Sequence, residues 1–78
     1  MNTKEDFGFS FKRMLGRNIR MLRTSKNITK NALAVHLNTS PSAVGYWEQG
    51  LHSPSAQHLV SLAEFFGVSS DEIVGLKS

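Results

Sequence analysis

The sequence of 78 residues contains no cysteine, which excludes disulfide bonds and metal sites built from thiolates. A chain of this length lies near the lower limit at which a hydrophobic core stabilises a fold without such help. It also lacks a hydrophobic run long enough to span a membrane, and residues 1–6 are too polar to be the apolar part of a signal peptide. We therefore expect one small cytoplasmic domain, not attached to a membrane, whose core comes from packed helices or strands alone.

Catalytic and metal-binding patterns are lacking as well. The three histidines, His36, His52 and His58, do not show the spacing that places two ligands on one turn of a helix. Neither a nucleophile turn nor a glycine-rich phosphate loop accompanies the serine and aspartate residues. The sequence predicts no catalytic site, no metal site, no cofactor and no small-molecule ligand.

Acidic residues are missing from the middle of the chain. Between Ser10 and Trp47 there is no aspartate or glutamate, although the net charge of the whole chain is only +3. The basic residues in this interval are Lys12, Arg13, Arg17, Arg20, Arg23, Lys26 and Lys30. This asymmetry indicates a cationic face and a polyanionic partner, with nucleic acid favoured over an anionic membrane surface. The alternative is a basic helix face that contacts only solvent.

The spacing of hydrophobic residues is that of α-helices throughout. A first helix is predicted from the N-cap Ser10 to about Lys26. Its apolar stripe consists of Phe11, Met14, Leu15, Ile19 and Leu22. Residues 1–9 are expected to be a flexible N-terminal segment, and residues 10–78 the folded domain.

Two short helices follow, separated by a tight link. Thr29 is the predicted N-cap of a helix over residues 30–37, and Asn38 ends it because asparagine tolerates the left-handed conformation. Ser40 then caps a third helix that begins with Pro41 and ends at Gly50. The predicted inward residues of the two helices are Leu33, Ala34, Leu37, Val44 and Trp47. Two short helices joined in this way form a helix-turn-helix.

Two further helices complete the predicted fold. Ser55 caps a fourth helix with the stripe Leu59, Leu62, Ala63 and Phe66, which ends at Gly67. Ser69 or Ser70 begins a short fifth helix that carries Ile73, Val74 and Leu76. No segment has the alternating period of a strand. The sequence therefore predicts an all-α fold, a compact bundle of five helices in which helices 2 and 3 form the helix-turn-helix.

Together these segments resemble the phage-repressor and Cro-like helix-turn-helix domains, also called the Xre family. The resemblance rests on LGRNIRMLR, NITKNALAVHL, TSPSAVGYWEQG, the Pro54-Ser55 start of the fourth helix, and LVSLAEFFGVSSDEIV, in this order. It implies a lambda-repressor-like fold and a sequence-specific DNA-binding transcriptional regulator of the phage repressor, controller or antitoxin type. Such a protein would bind double-stranded DNA as a homodimer, with its third helix in the major groove.

The resemblance also assigns roles to individual residues. The base-facing residues would be Pro41, Ser42, Gly45, Tyr46 and Gln49. The phosphate-facing residues would be Arg17, Lys30, Thr39, Ser40 and His52. Arg23 and Glu48 match an ion pair that some members form between helix 1 and the end of the third helix, and the inward residues named above match the family's buried positions.

Departures from the family pattern cluster on the base-facing side. Glycine inside a helix costs about 1 kcal/mol relative to alanine, so Gly45 either lets the helix approach the DNA closely or reflects drift on an exposed face. Tyr46 either contacts DNA or shields the core. No arginine, asparagine or glutamine lies in the first turn of the third helix, so the strongest base-reading pairs are missing there. A protein-interaction module that retains this fold and binds a toxin or a regulator is therefore the alternative function.

Overall fold

The structure is a computed structural model that describes the backbone of residues 3–75 and the side chains of residues 11–75. This part of the chain contains five α-helices and no strand. The helices are α1 (Thr3–Ser25), α2 (Lys30–His36), α3 (Pro41–Gln49), α4 (Ala56–Phe66) and α5 (Ser70–Ile73). The predicted all-α bundle of five helices is confirmed. Leu76 lies outside the described residues.

The first helix is longer than the sequence predicted. It begins at Thr3, so Ser10 lies inside the helix and does not cap it. A serine in the interior of a helix has only a modest propensity penalty relative to alanine. A residue type that favours N-caps therefore does not by itself mark the first residue of a helix. The division into a flexible segment at residues 1–9 and a domain at residues 10–78 stays a prediction.

The other four helices begin at serine or threonine N-caps. In each, the side-chain oxygen of the cap accepts a hydrogen bond from the backbone N–H three residues later. The caps are Thr29, Ser40, Ser55 and Ser69. Three were predicted individually, and the structure selects Ser69 over Ser70 for α5.

The first four helices end in the same left-handed turn. A residue of positive φ follows each helix, and the N–H of the next residue donates to the carbonyl oxygen five positions earlier. These residues are Asn27, Asn38, Gly50 and Gly67, with φ of 57°, 57°, 77° and 69°. This is the Schellman arrangement. The predicted role of Asn38 is confirmed, whereas the equivalent role of Asn27 was not predicted.

The core is formed by residues from all five helices. Its buried hydrophobic residues are Leu15, Ile19, Leu33, Ala34, Leu37, Val44, Trp47, Leu62, Ala63, Phe66 and Ile73. All five residues predicted to be the inward side of helices 2 and 3 are among them. Burial of this set fixes which side of α3 faces away from the protein.

The helices α1 and α3 approach each other closely at Gly16. A Cβ atom on this residue would overlap the carbonyl oxygen of Trp47 and would lie 2.9 Å from that of Glu48. Only glycine therefore allows the backbones to pack at this distance. On another side of α1, the Asn18 side-chain amide donates to the carbonyl oxygen of Ile73 at 2.8 Å and ties α1 to α5.

Candidate nucleic-acid interface

The helix α3 has one buried and one outward side. Val44 and Trp47, three residues apart, retain 0% and 5% of their exposure. Pro41, Ser42, Tyr46 and Gln49 are exposed on the opposite side. The periodicity of the helix produces this division, because residues three and four apart share a face. The side chains predicted to face a ligand therefore point away from the core.

A shallow depression lies on the outward side of α3. It is lined by the five residues predicted to face DNA bases and by one residue predicted to face a phosphate. The lining residues are Lys30, Pro41, Ser42, Gly45, Tyr46 and Gln49. Lys30 comes from the first position of α2, so the two helices of the helix-turn-helix jointly form one surface with a positive charge at its edge.

Gly45 is one of the residues that line this depression. The sequence placed it on an exposed face, but the residue is buried. A Cβ atom at this position would nevertheless meet no atom of another part of the described chain within 4 Å. The space that a side chain would occupy is therefore open and forms part of the depression.

Tyr46 is held by the loop that follows α3. The residue is 45% exposed, and its ring meets the ring of His52 edge to face, with centroids 5.4 Å apart and planes at 82°. The backbone N–H groups of Leu51 and His52 both donate to the carbonyl oxygen of Tyr46, at 3.0 and 3.4 Å. Tyr46, which was predicted to face bases, is thus in direct contact with His52, which was predicted to face a phosphate.

The other residues predicted to face phosphates lie around α3 and on α1. Thr39 is half-buried and Ser40 is exposed, both in the link before α3. The Ser40 hydroxyl oxygen accepts the N–H of Ala43 at 3.0 Å, which leaves its proton available for donation to a ligand. Arg17 is exposed on α1 and is not among the residues that line the depression. Lys30 thus lines the depression on α3, whereas Arg17 does not.

Arg23 and Glu48 form the predicted ion pair between α1 and α3. The Nε atom of Arg23 donates to one carboxylate oxygen of Glu48 at 2.6 Å, and a terminal guanidinium nitrogen donates to the other at 3.1 Å. The other terminal nitrogen donates to the carbonyl oxygen of Ile28 at 2.7 Å. The hydrogen bond that Arg23 donates to Glu48 raises the pKa of Arg23, although burial acts in the opposite direction. The pair fixes the last turn of α3 against the end of α1.

The remaining basic residues of the acid-free interval contact solvent. Besides Arg23, its members are all exposed, namely Lys12, Arg13, Arg17, Arg20, Lys26 and Lys30. Glu48, the first acidic residue after this interval, pairs with Arg23. Within the described residues, no group of three or more histidine, aspartate or glutamate side chains is arranged to hold a metal ion.

Sequence reasoning missed Gly16, which sets how closely α1 and α3 pack. The signal was present, because a glycine in the middle of an apolar helical stripe lowers helix propensity and needs a packing reason. The position of the partner backbone, however, comes from residues far away in the sequence. The contact of Tyr46 with His52 was also missed, because each residue was predicted to contact DNA independently of the other.

These features define a class of protein. Two short helices with buried inward sides, a tight link and an outward depression on the second helix make a helix-turn-helix domain. A family profile described as "Helix-turn-helix" matches residues 19–73. The chain belongs to this family, in its phage-repressor and Cro-like branch, which consists of transcriptional regulators and not of enzymes.

The HTH-type transcriptional activator BcrR of Enterococcus faecalis is similar in sequence. It is 38% identical over 56 residues, which are 72% of this chain and 28% of BcrR. The chain thus spans less than a third of that relative's length. No helix in the described residues is long and apolar enough to cross a membrane.

Solved structures show the same fold. The restriction-modification controller protein C.AhdI from Aeromonas hydrophila superposes with a TM-score of 0.77 at 26% identity, covering 83% of this chain and 98% of that chain. The P22 c2 repressor, solved with a synthetic operator, gives a TM-score of 0.74 at 27% identity, covering 77% and 91%. The clp gene regulator ClgR from Corynebacterium glutamicum gives a TM-score of 0.76 at 26% identity, covering 82% and 68%. The lambda-repressor-like fold predicted from the sequence is confirmed.

Proposed function

We propose that this chain binds double-stranded DNA in a sequence-specific manner and regulates transcription, with α3 in the major groove. The observation that carries the proposal is the outward depression of α3, which is bordered by Lys30 and left uncovered by the rest of the described chain. An α-helix fits the width of the major groove. The P22 c2 repressor, which shares the fold, was solved with a synthetic operator.

Charge supports the same partner. Six basic side chains of the acid-free interval are exposed, and each one that meets a phosphate releases condensed counterions and so strengthens binding. Lys30, Thr39, Ser40, His52 and Arg17 are the proposed phosphate contacts. These contacts position the domain on the duplex but do not read its sequence.

We assign the recognition of the DNA sequence to the side chains that line the depression. Ser42 and Gln49 offer hydrogen bonds to base edges, whereas Pro41 and the ring of Tyr46 offer apolar contact. Because the first turn of α3 lacks arginine, asparagine and glutamine, bidentate contacts to guanine or adenine cannot form there. Specificity then depends on apolar contact, DNA shape and the spacing of half-sites.

We also propose that the protein binds as a homodimer. One recognition helix presents only a few side chains to bases, and helix-turn-helix dimers extend this by contacting two half-sites about 10–10.5 base pairs apart. The two half-sites would be related by the twofold symmetry of the dimer. Sedimentation with a full site and with a single half-site tests this directly. Two protomers on the full site support the dimer, and tight binding of one protomer to an isolated half-site contradicts it.

Selection of bound duplexes from a random DNA pool tests the main proposal. We expect a palindromic motif, and affinity for both the motif and random duplex should fall steeply as salt rises, by about 0.9 log units per log unit of salt for each phosphate contacted. Failure to enrich any motif, together with binding that does not respond to salt, would contradict DNA reading. That outcome would favour the alternative, a module that binds a protein partner.

A further inference from the structure

Gly16 and Gly45 lie inside helices at positions without a positive φ, and only one of these two glycines is explained by the fold. Glycine in a helix interior costs about 1 kcal/mol relative to alanine. At Gly16 the close approach of the α3 backbone requires it, because a Cβ atom would overlap a carbonyl oxygen. At Gly45 a Cβ atom would meet no other part of the described chain within 4 Å, and the residue does not have the positive φ that favours glycine.

The fold therefore gives no reason for glycine at position 45. The residue is nevertheless one of those that line the depression on α3. Pro41 and Gln49 lie four residues before and after it, and Ser42 lies three residues before it, so these residues share one side of the helix with the open space. A group that enters from outside the chain can use that space.

We propose that the space above Gly45 receives the C5-methyl group of a thymine. This inference rests on the proposed function, and it adds which chemical group the surface reads. The missing Cβ leaves room for one methyl group, and the C5-methyl of thymine is the apolar group that base pairs present in the major groove. Pro41 and the ring of Tyr46 supply apolar walls, while Ser42 and Gln49 are placed for the polar edges of neighbouring bases.

Replacement of thymine by deoxyuridine tests this inference, because the two bases differ only by the methyl group. Each thymine of the selected site is replaced in turn, and the affinity of the unmodified protein is measured. We expect one position in each half-site at which uracil weakens binding by roughly fourfold, the effect of removing one buried methyl-sized group. The other thymines of the same site provide the internal control.

The variant Gly45→Ala reverses this preference. Its added methyl group fills the space, so the variant binds the thymine site more weakly than the unmodified protein does. The variant should bind the site with uracil at the same position at least as tightly as it binds the thymine site. The thermal midpoint of the free variant should not fall, because alanine is the better helix former and meets no neighbour. A loss of binding by this variant therefore cannot be attributed to unfolding.

Several outcomes would overturn the inference. One is equal affinity for thymine and uracil at every position of the selected site, and another is a selected motif without thymine. A Gly45→Ala variant that discriminates thymine from uracil as the unmodified protein does would also overturn it, as would one that loses affinity for both bases equally. Failure of the proposed function looks different, because no motif would then be selected at all.

Discussion

The guanidinium of Arg23 and the carboxylate of Glu48 form a two-point ion pair, at 2.6 and 3.1 Å, between the end of α1 and the last turn of α3. Both side chains are largely withdrawn from water, with 12% and 4% of their surface exposed. A buried ion pair stabilises a fold little more than a hydrophobic pair of equal volume would, but removal of one partner leaves the other charge buried and unpaired. The pair therefore fixes the position of α3 and makes each partner dependent on the other.

Glu48→Ala should lower the stability of the fold by about 3 kcal/mol, the low end of the range for breaking a buried pair. The low end applies because Arg23 keeps some exposure and its hydrogen bond to Ile28. For a domain of this size the loss corresponds to a fall in the thermal midpoint of roughly 12–24 °C. Thermal unfolding followed by circular dichroism measures it.

Glu64→Ala is the matched control for Glu48→Ala, since Glu64 is an exposed glutamate on α4. Its free energy of unfolding should change by no more than about 0.5 kcal/mol. If Glu48→Ala melted at the same temperature as this control, the pair would have no role in holding α3.

Gly16→Ala should destabilise the fold because its methyl group overlaps the backbone of α3. Overpacking of this kind costs about 1–3 kcal/mol, and more where the obstacle is backbone and cannot rotate away. Chemical denaturation gives the free energy. A well-folded variant of unchanged stability would show that α1 and α3 do not pack at this distance.

Gly45→Ala provides the opposite case in the same kind of experiment. The substitution is chemically identical, but the space at position 45 is open, so the variant should gain up to about 1 kcal/mol of stability. The free energy of unfolding is expected to fall for Gly16→Ala and to rise for Gly45→Ala, because a Cβ atom meets the backbone of α3 at the first position and open space at the second. Two glycine substitutions of equal effect would contradict it.

Lys30→Ala should weaken binding to the selected site and to random duplex by the same factor. The reason is that a phosphate contact carries no sequence information. The slope of log affinity against log salt should decrease by about 0.9 for each protomer. Lys30→Arg, which retains the charge, is the control and should preserve the slope. A change in the selected motif on Lys30→Ala would mean that the lysine reads a base instead.

Tyr46→Ala should change the preference among DNA sequences at one position of each half-site, by about 1–3 kcal/mol. His52→Ala, which removes the ring that contacts Tyr46, should weaken all sequences alike if His52 meets only a phosphate. Motif selection with each variant compares the two. If Tyr46→Ala selected an unchanged motif, Tyr46 would not be a base-reading residue.

Local signals in the sequence were sufficient for most helix boundaries. The N-caps Thr29, Ser40 and Ser55 and the left-handed end at Asn38 were all found from residue type and spacing. Each depends on hydrogen bonds within a few residues, so the chain itself carries the information. The start of α1 was wrong because Ser10 has the chemistry of a cap and yet occupies the interior of a helix.

The sequence by itself determined most helix boundaries, the inward residues Val44 and Trp47, and the acid-free interval that leaves one region cationic. Only the tertiary structure decided how Gly16 and Gly45 differ, because a Cβ atom at Gly16 would meet the backbone of α3, whereas one at Gly45 would meet open space. It also showed that Lys30 of α2 borders the depression of α3. Helical periodicity is a local property that a sequence displays directly, whereas the distance between two helices depends on how all of their buried side chains pack together.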